Sequence, residues 1–441
     1  MWWMLVACVP FTGSLGRLPE LDPQSGGQAS VDDQTVHAYA LAIRGLERSE
    51  QRAFSVGNAF FNDNWVSAPA STEGRDGLGP LFNARSCSSC HFKDGRAAPV
   101  PGQAGFLLRL RLSGEGVAQP DPIYGGQIQD FSIVPETEEA AVHIDVTDKV
   151  VTYPDGQQLA MHVPSYRLSD LRYGELHPET VMSPRVAPAV FGLGLLAAIP
   201  ESTLTALEDV SDRNNDGISG RINRLADGQV GRFGWKADVP SLIAQTTGAF
   251  VHDMGITSTR EPDHPHTEAQ VALDELPHGG LPEVDDQKVD RIVGYLERIA
   301  VPYSRDVDGL EVRKGRRLFS RIGCDGCHIP ELRTGIHAVS QLSEQRIQPY
   351  TDLLLHDMGA DLADGFASHT ANGQEWRTPP LWGLGLMPVV NGHTRLLHDG
   401  RAHSIEEAIV WHGGEAMQSR EAFMALDAKE RSQVLRFLES L

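Results

Sequence analysis

The chain has 441 residues, with 38 basic and 59 acidic residues and a formal net charge of −21 at pH 7. This length predicts about two to four domains, at roughly 100–200 residues each. The negative charge, with no Lys/Arg-rich run to offset it, excludes nucleic-acid binding through phosphate contacts. An acidic surface suits a small basic partner protein, although it is also common among soluble proteins. The sequence contains no run of about 18 or more apolar residues, the length that predicts a membrane span.

The N-terminal segment contains a cysteine in an unusual setting. Leu5-Val6-Ala7-Cys8 resembles a lipoprotein cleavage box, and it predicts a periplasmic or cell-envelope protein anchored through a lipidated Cys8. Only seven residues precede Cys8 and none is basic, which is short for a secretory signal, so the alternatives are a start upstream of Met1 or an inert thiol. Residues 10–34 are rich in Gly, Ser, Pro, Gln and Asp. We therefore assign residues 1–34 to a leader and a flexible tether.

A helix and then a β insertion are predicted next along the chain. Apolar residues recur at helical spacing over residues 36–64, which predicts a helix there. Residues 107–112 alternate between leucine and arginine after Leu107, and residues 142–151 are rich in β-branched side chains. The turn signal Pro154-Asp155-Gly156 follows. Together they predict antiparallel strands over about residues 105–170, inside an otherwise helical domain.

Two Cys-x-x-Cys-His motifs stand far apart in the chain. They are Cys87-Ser88-Ser89-Cys90-His91 and Cys324-Asp325-Gly326-Cys327-His328. In such a motif the two thiols form thioether bonds with the vinyl groups of one haem, and the histidine ligates the iron. Composition gives about 0.002 chance matches, so two covalently bound c-type haems are predicted. A zinc cage would require the two motifs to converge, and a redox dithiol would not require both histidines.

The two motifs belong to an internal repeat. Gly315-Arg316-Arg317-Leu318-Phe319 precedes the second motif much as Gly57-Asn58-Ala59-Phe60-Phe61 precedes the first, and each half ends in an amphipathic helix, near residues 285–301 and 432–441. This is the plan of a small c-type cytochrome used twice, in which the porphyrin supplies much of the core. The predicted fold class is mainly α. Two cytochrome c-like haem domains are expected at residues 35–304 and 305–441, and the first carries the β insertion.

Six further motifs carry a family resemblance. They are DGLGPLFN at residues 76–83, DGISGR at 216–221, GRFGWK at 231–236, LLHDMG at 354–359, TPPLWG at 378–383 and LHDGR at 397–401. With them, residues 38–441 resemble the di-haem oxidoreductase family sometimes labelled thiol oxidoreductase. That family is related to bacterial di-haem cytochrome c peroxidases and to the di-haem enzyme that matures methylamine dehydrogenase.

The resemblance implies a distal ligand for the C-terminal haem. In the peroxidase relatives this ligand follows a His-Asp-Gly segment and a short acidic helix. Here His398-Asp399-Gly400 precedes such a helix, and His412 stands where those relatives have Met or Tyr. Ser404 and Glu407 predict a capping box that starts the helix. The haem would then be bis-His, which favours a low potential. The alternatives are a surface His412 with one of three other ligands: His356, His398 or Met358.

The resemblance also implies a distal wall for the N-terminal haem. The relatives have a tryptophan followed by Ser-Leu-x-x-Gln, and this chain has Trp235 and then Ser241-Leu242-Ile243-Ala244-Gln245. The resemblance implies that Trp235 lies on the electron path between the haems and that Gln245 is a hydrogen-bond donor in the distal pocket. Asp253 comes two positions before the relatives' glutamate, and it is either the general acid–base or a loop residue. Residues 92–101 offer no nearby axial ligand, so an open iron is expected. The candidates for a sixth ligand are His143, His162, His252 and Met254.

A calcium loop is a further expectation. Asp212, Asn214 and Asp216, followed by Gly217, match the start of an EF-hand loop, and the relatives place a calcium between their haems. Position twelve is Asn223 where a full loop has glutamate. The alternative is a plain Asp/Asn-Gly turn.

The predicted function is that of a di-haem peroxidase or related oxidoreductase. Hydrogen peroxide would react at the N-terminal haem, and the C-terminal haem would relay electrons to or from a redox protein. The alternatives are an electron-transfer cytochrome with both irons saturated, a peroxide-driven modifier of a partner protein, and a sensor lipoprotein that holds haem without turnover. An open iron site distinguishes the enzymes from the carriers.

Overall fold

The computed structural model describes residues 18–72, 74–114 and 119–441. Cys8, the predicted lipidation site, lies outside these residues, so the lipoprotein assignment stays a prediction. Over the described ranges, no helix has both the length and the apolar character needed to cross a membrane. Helices and short strands both contribute to the architecture, and the strands of the described residues form six two-stranded sheets.

The helices and strands are bounded as follows. The α-helices are α1 Arg48–Asn62, α2 Cys87–Cys90, α3 Leu193–Ala197, α4 Glu201–Leu207, α5 Leu242–Met254, α6 Asp286–Glu297, α7 Leu310–Arg321, α8 Met387–Val390, α9 Ile405–Trp411, α10 Met417–Met424 and α11 Ala428–Ser440. The strands are β1 Ser30–Val31, β2 Leu81–Phe82, β3 Phe106–Leu112, β4 Phe131–Ser132, β5 Ala141–Thr152, β6 Gln158–Ser169, β7 Thr180–Val186, β8 Val301–Pro302, β9 Leu332–Arg333, β10 Arg346–Ile347, β11 Leu355–Asp357 and β12 Glu375–Arg377.

The internal repeat corresponds to two equivalent pairs of crossed helices, one pair in each half of the repeat. Helix α1 crosses α6 at Gly57, where a Cβ atom would overlap the carbonyl oxygen of Arg291. Helix α7 crosses α11 at Gly315, where a Cβ atom would overlap the carbonyl oxygen of Gln433. Only glycine permits backbones to approach this closely. The glycines that the sequence repeat aligned are therefore the contact points of equivalent helix pairs.

One turn after each glycine, an aromatic residue ties the helix pair to its haem motif. Phe61 lies 5.3 Å from Tyr295 and 6.2 Å from His91, measured between ring centroids. Phe319 lies 5.3 Å from the Phe437 ring, and its distance to His328 is again 6.2 Å. Each pair of crossed helices thus positions the histidine of its own motif.

An antiparallel hairpin lies in the region of the predicted β insertion, and its tip contacts the C-terminal half. Strands β5 and β6 pair antiparallel from Ala141 opposite Ser169 to Thr152 opposite Gln158. At the tip of this hairpin the hydroxyl of Tyr153 donates to Glu406 at 2.9 Å, and Asp155 pairs with Arg431 at 2.6 Å. The sequence did not predict this contact, nor the pairing of β7 with β3.

Two expectations for the N-terminal region are wrong. The helix predicted over residues 36–64 exists only from Arg48 to Asn62, where Glu47 and Glu50 form its capping box. Residues 36–47 are turns, and their apolar spacing reflects side chains such as Tyr39 that are buried without helix. The predicted flexible tether is docked within residues 18–34. Val31 pairs with Pro302 in a parallel ladder, and the Asp22 amide donates to Gln348 at 2.9 Å.

The division into haem domains at residues 35–304 and 305–441 stays a prediction, as does the mainly α, cytochrome c-like class. The largest apolar cluster joins side chains from both ranges, among them Tyr295, Leu332 and Trp382. A second cluster lies mainly in the C-terminal range and contains Phe319 and Phe437. The two halves therefore share a core at the level of side-chain packing.

Candidate active site

The first haem motif is held on a single helical turn. Ser86 caps helix α2, and its hydroxyl accepts the amide of Ser89 at 3.2 Å. His91 follows, and its Nδ1 donates to the carbonyl oxygen of Pro188 at 2.7 Å. Burial lowers the pKa of His91 to about 4, so the ring is neutral. The proton sits on Nδ1, which leaves the Nε2 lone pair for a metal, the usual arrangement of a ligating histidine.

The second motif has the same arrangement. The Nδ1 of His328 donates to the carbonyl oxygen of Tyr350 at 3.0 Å, and burial lowers the pKa of His328 to about 4. Burial also raises the pKa of the Cys87 thiol to about 12, the opposite of an activated redox dithiol. In the part of the chain that the structure describes, no group of three or more His, Cys, Asp or Glu side chains is placed to hold a metal ion. Neither the zinc cage nor the redox dithiol is supported.

Both motifs open into one cavity of about 910 Å³. This volume lies near the upper end of ligand pockets, roughly 300–1,000 Å³. The lining includes both pairs of cysteines, both motif histidines, and four residues predicted from the family resemblance, which are Trp235, Gln245, Asp253 and His412. The sequence-predicted site residues are therefore brought together, although they span more than half of the chain.

The charge of the cavity wall fits haem. Arginines outnumber carboxylates in the lining by six to three. Four of the six carry a buried nitrogen without a hydrogen-bond partner among the described residues. Each haem carries two propionate groups, which would accept hydrogen bonds from these nitrogens, and burying a polar nitrogen without a partner is otherwise costly. The arginines are Arg96, Arg109, Arg111, Arg185, Arg377 and Arg420, and the carboxylates are Asp238, Asp253 and Glu261.

His412 ends the short helix α9. Ser404 caps this helix by accepting the Glu407 amide at 3.0 Å. The reciprocal half of the predicted capping box is absent, because the Glu407 carboxylate accepts the amides of His403 and His162 instead, each at 2.7 Å. The Nδ1 of His412 donates to the carbonyl oxygen of Ala408 at 2.7 Å, so its Nε2 is left free as in the motif histidines.

The alternative ligands to the second haem are placed less favourably. Both ring nitrogens of His356 are engaged, Nε2 with Asp352 and Nδ1 with Glu415, each at 2.8 Å. The ring of His398 is stacked on Trp376 with 3.7 Å between the centroids. Met358 lines the cavity and stays an alternative.

Helix α5 carries the predicted distal residues of the first haem. Ser241 caps it by accepting the Ala244 amide at 3.2 Å. Gln245 and Asp253 lie two turns apart and both line the cavity, so they share one face. Asp253 is thus a helical residue, and the loop alternative is wrong. Burial raises the pKa of Asp253, while the charge of Arg109 and a hydrogen bond from Gln127 oppose that rise.

Sequence reasoning missed the residues around Asp253. The Gln127 amide nitrogen donates to Asp253 Oδ1 at 2.9 Å and also to Asn83. The side-chain amide nitrogen of Asn83 in turn donates to Asp130 at 2.8 Å. One signal was present for Arg109, since it and Arg111 alternate with leucines that are buried in the structure. Charged residues in that alternation indicate a strand face that turns to a polar site.

Trp235 lies in the cavity wall shared by the two motifs. Its indole nitrogen donates to the carbonyl oxygen of Val186 at 2.8 Å. The Arg96 guanidinium lies 4.9 Å from the centre of its ring. Trp235 belongs to a small apolar cluster with Phe106 and Trp376. Trp235 thus lines the cavity that both motifs share, and its role in electron transfer stays a prediction.

The remaining candidates for a sixth ligand of the first haem lie partly inside and partly outside the cavity. His252 and Met254 line the cavity, whereas His143 bonds to Ser169 on the hairpin at 2.7 Å and His162 pairs with Glu407 at 3.0 Å. His143 lies on β5 and His162 lies on β6. This hairpin packs outside the cavity, so neither histidine lines it.

In the calcium loop, Asp212 and Asp216 accept amide protons of the loop itself at 2.9 Å. Asn214 donates to Asp216 at 2.9 Å. A plain turn accounts for these bonds, and calcium stays a prediction.

Comparison with protein families gives one match. The model of a family described as "Di-haem oxidoreductase, putative peroxidase" matches residues 22–113 and 125–441. Comparison with curated proteins and with solved structures returned no match. The family match spans nearly the whole chain and includes both Cys-x-x-Cys-His motifs and the cavity between them. This chain therefore belongs to the di-haem oxidoreductase family.

Proposed function

We propose that this protein is a c-type di-haem peroxidase. Hydrogen peroxide reacts at the haem of the first motif, and the haem of the second motif passes electrons to it. The observation that carries the proposal is the asymmetry of the shared cavity. The wall near the first motif holds a half-buried carboxyl on α5, and the wall near the second holds a histidine with a free ring nitrogen.

Haem supplies an iron that changes oxidation state and, where one axial position is open, a position for the oxidant. His91 and His328 would ligate from the proximal side, each fixed by its bond to a backbone carbonyl. His412 would complete the coordination of the second haem. Cys87 with Cys90, and Cys324 with Cys327, would form the thioether bonds.

Asp253 is the proton-transfer group of the proposal. Its Oδ1 is held by Gln127, which leaves Oδ2 free to carry a proton from one peroxide oxygen to the other. Burial raises the pKa of Asp253 above its ordinary value, which makes the carboxyl a stronger proton acceptor than an exposed aspartate. Gln245, on the same helix face, donates a hydrogen bond to the substrate.

Electrons enter from a redox protein. The net charge of −21 suits a small basic donor. Trp235, in the wall shared by the two motifs, shortens the path between the haems. Each turnover consumes one hydrogen peroxide, two electrons and two protons, and it forms two waters. A periplasmic or cell-envelope location stays part of this proposal.

The spin state of each haem tests the proposal. Electron paramagnetic resonance of the purified holoprotein is expected to show one low-spin and one high-spin ferric haem. Peroxide should change the high-spin signal. Two low-spin haems in every redox state, with spectra that peroxide leaves unchanged, would make the protein an electron carrier.

A further inference from the structure

We propose that Arg109 is a further catalytic residue of the first haem pocket, where its guanidinium binds the substrate peroxide and stabilises the oxygen that leaves when the O–O bond breaks. This assignment rests on the proposed peroxidase function and adds to it a cationic group that the family resemblance did not supply.

The position of Arg109 follows from strand pairing. Arg109 on β3 forms an isolated antiparallel bridge with Gln127. The flanking hydrogen bonds run from Leu110 to Gly126 at 2.9 Å and from Ile128 to Leu108 at 3.0 Å. The bridge is therefore a non-hydrogen-bonded pair, the type in which facing side chains come closest, about 4.5 Å between Cα atoms. Arg109 and Gln127 point to the same side of the ribbon.

That side faces Asp253. The Gln127 amide donates to Asp253 Oδ1 at 2.9 Å, so the Arg109 side chain leaves the ribbon on the same side as the group that holds this carboxyl. Arg109 and Asp253 both line the cavity. The charge of Arg109 also opposes the burial that raises the pKa of Asp253, as expected of close neighbours. The strand register and the cavity lining therefore place Arg109 close to Asp253, and its charge also acts on Asp238 in the same lining.

Arg109 also differs from the other cavity arginines in its partners. Arg185 lies 3.6 Å from Asp238, Arg377 donates to Gly234 at 2.9 Å, and Arg96 donates to Leu397. Across the described ranges the half-buried guanidinium of Arg109 makes no side-chain hydrogen bond and no ion pair. Its five N–H donors are available to a ligand in the cavity.

A cation favours this reaction because negative charge develops on the oxygen that leaves. Asp253 takes the proton from the inner peroxide oxygen and delivers it to the outer one. The O–O bond begins to break before this proton has been fully delivered, and its electron pair moves to the outer oxygen, which leaves as water once it is protonated. Two electrons from the redox protein and two further protons convert the inner oxygen into the second water. The outer oxygen carries negative charge until the proton arrives, and a fixed guanidinium is permanently charged and stabilises it.

Fluoride binding provides a readout that does not depend on turnover. Fluoride is an anion that can only accept hydrogen bonds, and it binds open ferric iron. A neighbouring hydrogen-bond donor increases the affinity of fluoride for that iron. The ferric holoprotein would be titrated with fluoride and followed by its absorption spectrum. In Arg109→Leu the fluoride affinity should fall about 10- to 100-fold, as for the loss of a charged hydrogen bond. The rate of reaction with peroxide should fall about 10²- to 10³-fold. Arg109→Lys should retain part of both.

Arg167→Leu is the matched control, because Arg167 is exposed on β6 and its loss also removes one positive charge. Haem content and the spin states of all variants are measured first. An Arg109→Leu protein with both haems and unchanged fluoride affinity and peroxide rate overturns the proposal. So does one that changes only the reduction potential, which would assign Arg109 to a haem propionate. If the wild type binds neither fluoride nor peroxide, the peroxidase function itself fails, and the Arg109 proposal fails with it.

Discussion

The side-chain amide of Gln127 donates to Asp253 Oδ1 at 2.9 Å, across 126 positions of sequence. This bond joins the β insertion to helix α5. It selects one oxygen of the carboxylate and leaves the other for the cavity. Gln127 itself is held by Asn83 from a third segment, so the carboxyl cannot rotate freely. A half-buried carboxyl fixed in this way has the features expected of a positioned acid–base group.

Replacing Asp253 should therefore slow the reaction with peroxide. Asp253→Asn retains the shape of the side chain and an oxygen that can accept from Gln127, but it cannot carry a proton. We expect the peroxide rate to fall by about 10²- to 10⁴-fold, measured by rapid mixing of peroxide with the holoprotein. Asp130→Asn, at the far end of the same amide chain, is the control and should retain the wild-type rate. Equal rates for Asp253→Asn and wild type would remove Asp253 from the mechanism.

The mode of haem attachment can be measured directly. We expect two covalently bound haems, so the intact mass should exceed that of the polypeptide by two haems, and acid–acetone extraction should leave the absorbance with the protein. Replacing both Cys324 and Cys327 by alanine should remove one haem. It should also destabilise the C-terminal half, since Phe319 and His328 pack around that site. A mass gain of one haem or none in the wild type would contradict the prediction.

Ligation by His412 should be visible in the spectrum. Its Nε2 is free because Nδ1 is bonded to Ala408, and removal of the imidazole should convert a low-spin haem to high spin. His412→Ala is therefore expected to gain a high-spin signal and to shift the potential of that haem. His356→Gln is the comparison, because both nitrogens of His356 are already paired and its loss should leave the haem low-spin. Spectra of His412→Ala identical to wild type would move the assignment to Met358.

The sequence predicted the chemistry of the motifs better than the surroundings of the site. The cysteines and histidines are recognisable because thioether attachment requires a short, local spacing. Gln245, Asp253 and His412 were predicted through the family resemblance, and the structure brings them into one cavity. Gln127 and Arg109 were not found, because their roles depend on one strand bridge and on contacts with α5 that local patterns do not encode.

The fold expectations failed for the same reason. Tyr39 and Ile43 are buried at a spacing that imitates a helix, yet the segment is fixed by tertiary contacts, such as the bond of the Ile43 amide to Arg298 at 2.9 Å. Residues 18–34 have the composition of a linker, but the Asp22 and Val31 backbones are satisfied by the body of the protein. Composition describes local preference, and these segments are ordered by distant partners.

A buried glutamate should make stability depend on pH. Glu139 is 1% exposed. Its carboxyl accepts hydrogen bonds from the backbone amide of Gln129 at 2.6 Å and from the side-chain amide of Gln270. Burial raises the pKa of Glu139 to about 8, from an ordinary value of 4.5. A raised pKa in the folded state means that the unfolded chain loses its proton first. The stabilising contribution of the protonated form is therefore complete below about pH 4.5, and it is lost as the pH rises towards about 8.

Glu139→Gln tests this dependence, because the amide stays neutral at every pH and can still accept from Gln129. Between about pH 4.5 and pH 8 the wild type should lose stability relative to the variant, by up to ~1.4 kcal/mol per pH unit. Thermal unfolding of both proteins over this range measures the difference, and Glu138→Gln, at an exposed position one residue away, is the control. The melting temperature of Glu139→Gln should fall less steeply with pH than that of the wild type. Parallel curves would show that Glu139 is ionised in the folded protein throughout, with Gln129 and Gln270 compensating its charge.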